Sequence, residues 1–427
     1  MSQRLTLSTL IIITIVSSLF WGFTQRPEGL IDDANEYASI AQHIHDDGSF
    51  ALWDDVRTMK RELVYPVFLS GLLAFGAPLI ESAAVAQLVL LVVLVIVVYQ
   101  FFQKTHPKHA FISAFLIAVA PPLAYFTGQV LAETLFTVLL ISSLLLLIYG
   151  IKRTRRRFII FSGVLLGLAI LTRSVLLLFP PFLVILALIF WRKHLSAIIL
   201  FSFIAILTVL PWSIRNHALF DTYSPTSGGS HLLVVRAMRT DFTDQELRDF
   251  LYYTTIGSAT TTQAQESGTY AHELFRFAHA RELTHILLKG GLTIGEVDAW
   301  QMQYARMQLL EKPLTYLALN PVEVIKLNAP PIHTFTSRTS TNLPTQFLIA
   351  ILYLGLYSAS LAACIRIWRA KQHPDRPLVF LFCAMILYNN AFLMFFDAIP
   401  RYNVPLLPLY LILFSFWYTR EIEPSYD

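Results

Sequence analysis

The stretch RELVYPVFLSGLLAFGAP at 61–78 decides how the rest of the chain is threaded. It is apolar, but Pro66, Gly71, Gly76 and Pro78 interrupt it, so it makes a poor continuous helix across about 30 Å of hydrocarbon. On either side lie apolar runs long enough to cross, at roughly 5–25, 82–102, 110–127, 129–149, 158–174, 175–191, 195–213, 345–367, 377–396 and 403–419. Lipid-exposed backbone must satisfy its own hydrogen bonds, so these runs read as helices. The chain is therefore an all-α polytopic membrane protein of about ten spans. Composition agrees: 55% of residues are apolar and 14% charged, where a soluble domain has about one half and one quarter. Five of the seven tryptophans (Trp21, Trp191, Trp212, Trp368, Trp417) fall at span ends, where an indole ring prefers to sit.

Parity then sets orientation. If 63–80 does not cross, Arg4 shares one side with Lys104, Lys108, the run KRTRRR at 152–157, Arg192, Lys193, Arg366 to Arg376, and Arg420. If it crosses, the strongest basic cluster moves opposite Arg4, against the positive-inside rule. We read 63–80 as a juxtamembrane or re-entrant helix and place both termini in the cytoplasm. The opening 25 residues read as a retained span, because no small-x-small cleavage site follows in VSSLFWGFTQ. Three regions result: an N-terminal membrane module, 1–213, whose first outer loop is 26–62; a polar periplasmic region, 214–342, large enough for a small helical domain; and a C-terminal membrane module, 343–427.

Some function classes drop out. A net charge of +4 does not point to nucleic acid. Cys364 and Cys383 lie in apolar runs and read as small buried hydrophobes, too few for a disulfide framework or a zinc site. His272, His279 and His285 sit in HELFRFAHARELTH, a solvated amphipathic helix in which Arg276 stands where HExxH needs its second histidine. The turn SPTSGGS at 224–230 lacks the GK[ST] of a nucleotide loop and reads as a mobile loop.

Charges in or beside spans cost about 2.5–3.5 kcal/mol at a helix centre, so each needs a reason. Here they share the outer face: Asp32 and Asp33 after span one, Glu133 about one turn into span four, Arg173 between spans five and six, Arg215 after span seven, and Asp397 with Arg401 between spans nine and ten. Scattered structural charges would have no cause to choose one side. Asp32 and Asp33 open IDDANEYASIAQHI, whose apolar residues recur at helical spacing and lay the segment along the membrane surface. Either aspartate can cap that helix, and either can act as a general base at the mouth of a dry cavity. Glu133 can orient Arg173 or Arg215 through an ion pair. Arginine, permanently charged and bidentate, suits phosphate, which makes Arg61, Arg173, Arg215 and Arg401 phosphate candidates.

These residues resemble those of the GT-C-fold glycosyltransferases, in particular the bacterial relatives of protein O-mannosyltransferases and lipid A aminoarabinose transferases. Asp33 to Tyr37, followed by SIAQHIHDDGSF, is similar to the family's first-loop pattern, and RELVYPVFLSGLLAFG to its Arg-x-Pro-Gly-Tyr-Pro segment. LAETLF, GLAILTRS, LPWSIRN and RYNVPLLP resemble later landmarks, in order. Two departures stand out. Leu63 and Val64 replace the usual Pro-Gly, and Asp33-Ala34 stands where many relatives have Asp-Glu, with the second acid ahead of it as Asp32.

The resemblance implies an inverting transferase in the bacterial inner membrane with a periplasmic active site. A polyprenyl-phosphate sugar would enter from the bilayer with its phosphate on arginines, and a hydroxyl of a glycan, lipid or protein acceptor, deprotonated by Asp33 or Asp32, would attack the anomeric carbon. Tyr37, Tyr65 and Tyr402 fall within the matching motifs and would line the pocket. No organic cofactor is implied. Some members of the fold use a divalent cation, for which no clear ligand cluster is visible. A transporter or flippase for a lipid-linked sugar would also need outer-face arginines, but it should bind near the midplane, often between repeats. A polysaccharide polymerase or ligase would work at the same face.

Overall fold

A computed structural model describes residues 3–26, 29–30, 33–53, 56–243, 245–246, 248, 277–329, 343–370, 373–396 and 398–419. The chain is helical almost throughout and is a multi-pass membrane protein. Among the described residues one small sheet pairs β1 (Ala51–Leu52) antiparallel with β2 (Val56–Arg57). Among the described residues six helices are long and apolar enough to cross a membrane, or seven if a bent pair counts as one span. The chain divides into two compact units, 1–212 with 354–388 and 404–427, and 213–353 with 389–403.

In the first unit, α1 (Gln3–Ser18) continues into a π-turn, Leu19–Phe23, and α2 (Asp33–Asp47) follows. The proline- and glycine-interrupted stretch forms α3 (Val64–Leu73), ten residues long. At 1.5 Å per residue it spans about 15 Å, half the hydrocarbon thickness. Next come α4 (Leu79–Phe102), α5 (Pro107–Val119) and α6 (Pro121–Thr127). The expected span at 110–127 is broken between α5 and α6 by a 54° bend. Pro121 and Pro122 lack the N–H groups that a continuous helix would use there. The unit continues with α7 (Glu133–Lys152), α8 (Arg156–Ile170), α9 (Phe179–Phe190) and the start of α10 (Leu195–Phe220).

Packing in this unit is tight where glycine permits it. A β-carbon on Gly128 would fall inside the van der Waals envelope of the Gly22 carbonyl, and one on Gly22 would come within 2.7 Å of the Ala124 carbonyl. The π-turn therefore lies directly on the end of α6. Gly128→Ala should destabilise the unit by about 1–3 kcal/mol or more, because backbone on both sides must move. The check is monodisperse protein surviving a heat challenge in detergent; unchanged survival would mean that the contact opens freely. Lys152, from the basic run, donates to Asp375 at 2.7 Å, and His106 lies 3.0 Å from the same carboxylate.

The second unit holds the end of α10, then α11 (Gly228–Met238), α12 (Phe277–Lys289), α13 (Ile294–Glu311), α14 (Pro313–Ala318) and α15 (Asn320–Asn328). Val234 and Val235 of α11 pack on Ala280, and Ala237 packs with Ala305 and Tyr316. Thr293 and Glu296 cap α13 reciprocally. The SPTSGGS turn runs into α11, with Ser230 donating to Gln301. His285 is exposed on α12, and His272 lies outside the described residues. The chain ends with α16 (Leu343–Arg369), α17 (Arg376–Leu393), a 3₁₀ turn (Pro400–Leu406) and α18 (Leu407–Thr419). Cys364 and Cys383 are free thiols whose sulfurs lie 3.2 Å apart.

Candidate functional site

In the first unit, sequence-distant candidates meet around the N-terminus of α2. Asp33 is the first residue of that helix, with Glu36 and Tyr37 about one turn on. Carboxylates at a helix N-terminus face its unbonded N–H groups and the positive end of its dipole. Arg61 reaches across from the segment before α3, with Nη2 2.5 Å from Asp33 Oδ1 and Nε 2.6 Å from Glu36 Oε2. Lys60 joins from the outside, its Nζ 2.7 Å from Glu36 Oε1. The Arg61 guanidinium also stands over the Tyr37 ring, 5.1 Å from its centroid. Arg61 was expected on phosphate; here two carboxylates hold it, and the acid that completes the pair, Glu36, was not among the expected site residues.

Tyr37 and Tyr65 pack against each other beside this pair. Their rings meet edge to face at 4.9 Å, and both are buried, Tyr65 completely. Around them pack Ala34, Ala41, Leu69, Ala83, Val130 and Ala132. Gln87, buried on α4, donates to the Gln129 carbonyl at 2.6 Å and lies 3.4 Å from the Tyr65 hydroxyl. Burial pushes the Tyr37 hydroxyl well above its ordinary range, so it stays protonated. Arg61, Glu62, Asp33 and Arg173 all act on it electrostatically. Burial would lower Arg61, but the Asp33 and Glu36 carboxylates beside it raise it, and it stays charged.

The next pair lies where α7 begins. Glu133 is the first residue of that helix rather than one turn into it, and its side chain is 1% exposed. Of its two expected partners, Arg173 bonds it, with Nη1 2.6 Å from Oε1. A small cavity runs from Glu133 past Thr134 and Thr137 to Leu91, Leu94 and Phe126. Glu62, unremarked in the sequence, accepts from both the Ser174 N–H and its hydroxyl at 2.9 Å.

The remaining candidates belong to the second unit. Arg215 donates to Asn216 Oδ1 at 2.8 Å and lies over Phe220. Arg401 and Tyr402, half-buried, lie in the 3₁₀ turn Pro400–Leu406. The same unit buries a charged cluster that the sequence reading did not find. Glu323 accepts from Arg239 at 2.6 Å and from the Ala398 N–H at 3.0 Å, with Lys326 at 3.4 Å and Arg236 at 3.8 Å. The signal available was the pairing of charges three residues apart on helical segments, Arg236 with Arg239 and Glu323 with Lys326. Asp32 and Asp397 lie outside the described residues. Among the described residues no group of three or more His, Cys, Asp and Glu could hold a metal ion.

Comparison with known proteins starts at the same place. The sequence pattern described as dolichyl-phosphate-mannose-protein mannosyltransferase matches residues 61–214, a segment that contains Arg61, Tyr65, Glu133 and Arg173 and leaves out Asp33. No curated protein sequence matches the chain. Among solved structures, the Archaeoglobus fulgidus oligosaccharyltransferase, tethered with an acceptor peptide containing the NVT sequon, aligns over 96% of this chain with a TM-score of 0.53 and 15% identity. The alignment takes in 49% of that protein, so this chain spans about half its length. Cupriavidus metallidurans ArnT bound to undecaprenyl phosphate aligns over 97% of this chain and 77% of its own, at 12% identity and a TM-score of 0.43. The chain has the GT-C glycosyltransferase fold, and its residues 61–214 are similar to the dolichyl-phosphate-mannose-protein mannosyltransferases.

Proposed function

We propose that the chain is an inverting membrane glycosyltransferase that moves a sugar from a polyprenyl-phosphate donor to an acceptor hydroxyl at the outer face of a bacterial inner membrane. The observation that carries this reading is the Asp33–Arg61 pair. It fastens a carboxylate of the first-loop helix onto the first residue of the segment that matches the mannosyltransferase pattern. Asp33 takes the proton of the acceptor hydroxyl. The acceptor oxygen then bonds to the anomeric carbon as the carbon–oxygen bond to phosphate breaks on the opposite side, which inverts the configuration. The lipid phosphate leaves with the electron pair, and cationic side chains stabilise the charge it gains. Arg173 carries that task in the first unit, with Arg61 committed first to Asp33. Tyr37 and Tyr65 back the Asp33–Arg61 pair, and Glu133 holds Arg173 in place.

The test is turnover by the full chain in nanodiscs, offered a panel of radiolabelled polyprenyl-phosphate sugars, with the anomeric configuration of the product determined. Transfer with inversion supports the reading and names the donor. A retained configuration would exclude direct displacement. Transport of the donor without any cleavage would make the chain a flippase instead.

A further inference from the structure

Glu62 does no chemistry in this mechanism, yet its position is unusual. It follows Arg61 directly in the chain, and the two side chains serve different partners. Arg61 reaches back to Asp33 and Glu36 of α2. Glu62 reaches the turn between α8 and α9, where a single oxygen, Oε1, accepts both the backbone N–H and the hydroxyl of Ser174. Two residues later, the Val64 N–H donates to the Leu171 carbonyl at 2.9 Å. Arg173, between those two anchors, donates to Glu133. One dipeptide thus bonds the helix of Asp33 on one side and the turn of Arg173 on the other.

We propose that Glu62 is a positioning residue that fixes the distance between Asp33 and Arg173. This rests on the glycosyltransfer reading, in which Asp33 is the base and Arg173 faces the leaving phosphate. A base and an anion-stabilising group must keep their separation to within a fraction of an ångström as one bond forms and the other breaks, and loss of that registration slows chemistry more than binding. Glu62 bonds neutral groups, a peptide N–H and a hydroxyl. Its acceptor oxygen therefore matters more than its charge, and glutamine should replace it.

The experiment compares Glu62→Ala and Glu62→Gln with the wild type in nanodiscs, reading steady-state kinetics and amide hydrogen exchange. Glu62→Ala should lower kcat by about 100-fold with the donor KM within about two-fold, and Glu62→Gln should stay within about three-fold of wild type. Exchange should quicken in Glu62→Ala both at 171–176 and at 33–37, and at neither segment in Glu62→Gln. Equal losses in the two variants would overturn the proposal, since the charge would then act directly. So would Glu62→Ala with unchanged exchange at 33–37. If the wild type transfers no sugar from any donor, the glycosyltransfer reading fails by itself, and the exchange data still show whether Glu62 couples the two segments.

Discussion

Replacing Asp33 by asparagine is expected to lower turnover by about 10³-fold while leaving donor affinity within about two-fold. The substitution is close to isosteric, and the asparagine oxygen can still accept the Arg61 hydrogen bond that Asp33 Oδ1 accepts now. What disappears is the capacity to take a proton. The packing beneath, Ala34 and Tyr37 against Tyr65 and Leu69, is untouched. A general base contributes about 10²–10⁴ in rate, and a well-held one belongs in the middle of that range or above. The measurement is single-turnover sugar transfer beside equilibrium binding of the same donor. A variant that binds less donor but turns it over at the wild-type rate would show that Asp33 serves binding alone. The same pair of assays on Asp32→Asn separates the two neighbouring acids. A thousand-fold loss there, with Asp33→Asn unaffected, would move the base one residue upstream. Arg61→Ala gives a third comparison: if Arg61 holds Asp33 as the geometry describes, its loss should fall mainly on kcat.

The fold was readable from the sequence because a bilayer imposes it. Long apolar runs such as 82–102 and 129–149 have few alternatives to becoming helices, and α4 and α7 cover most of each. Local backbone chemistry was harder to weigh. The proline pair at 121–122 divides an apolar run that a hydropathy average treats as continuous, and the bend between α5 and α6 lies there. The candidate site was legible as residue types but not as pairs. Asp33, Glu133 and Arg173 stood out because a charge near a span is costly, and Arg61 because arginine suits phosphate. Which one bonds which depends on contacts 28 and 40 residues apart in sequence, and no local periodicity encodes those. Glu36 and Glu62 escaped notice for a related reason. They lie in polar surroundings, where a glutamate costs nothing and attracts no question. Arg236, Arg239 and Glu323 were hidden differently, since the three-residue spacing of charges in a polar region does not say that these three are fully buried.

That buried cluster is where the largest loss of stability is expected. Glu323→Ala should destabilise the second unit by about 3–5 kcal/mol, the usual consequence of removing one partner from a buried ion pair. Glu323, Arg236 and Arg239 are fully buried, so water cannot replace the lost carboxylate. The arginines fare differently. Arg236 keeps the Tyr316 carbonyl at 2.5 Å, Asn320 Oδ1 at 3.0 Å and the Tyr316 ring at 4.5 Å. Arg239 loses its 2.6 Å bond to Oε1. Glu323→Gln should cost less, because its amide oxygen can still accept one of those hydrogen bonds although its charge is gone. Heat-induced unfolding in detergent, with limited proteolysis to locate the change, should therefore rank wild type above Gln and Gln above Ala. If alanine and glutamine behave alike, the charge alone matters; if both match the wild type, the cluster is not closed in solution. The loss should reach Arg401 as well. Glu323 Oε2 accepts the Ala398 N–H, three residues before Arg401. Weaker donor binding in Glu323→Gln, at a temperature where that variant is still folded, is the expected sign that the carboxylate also holds the Arg401 turn in place.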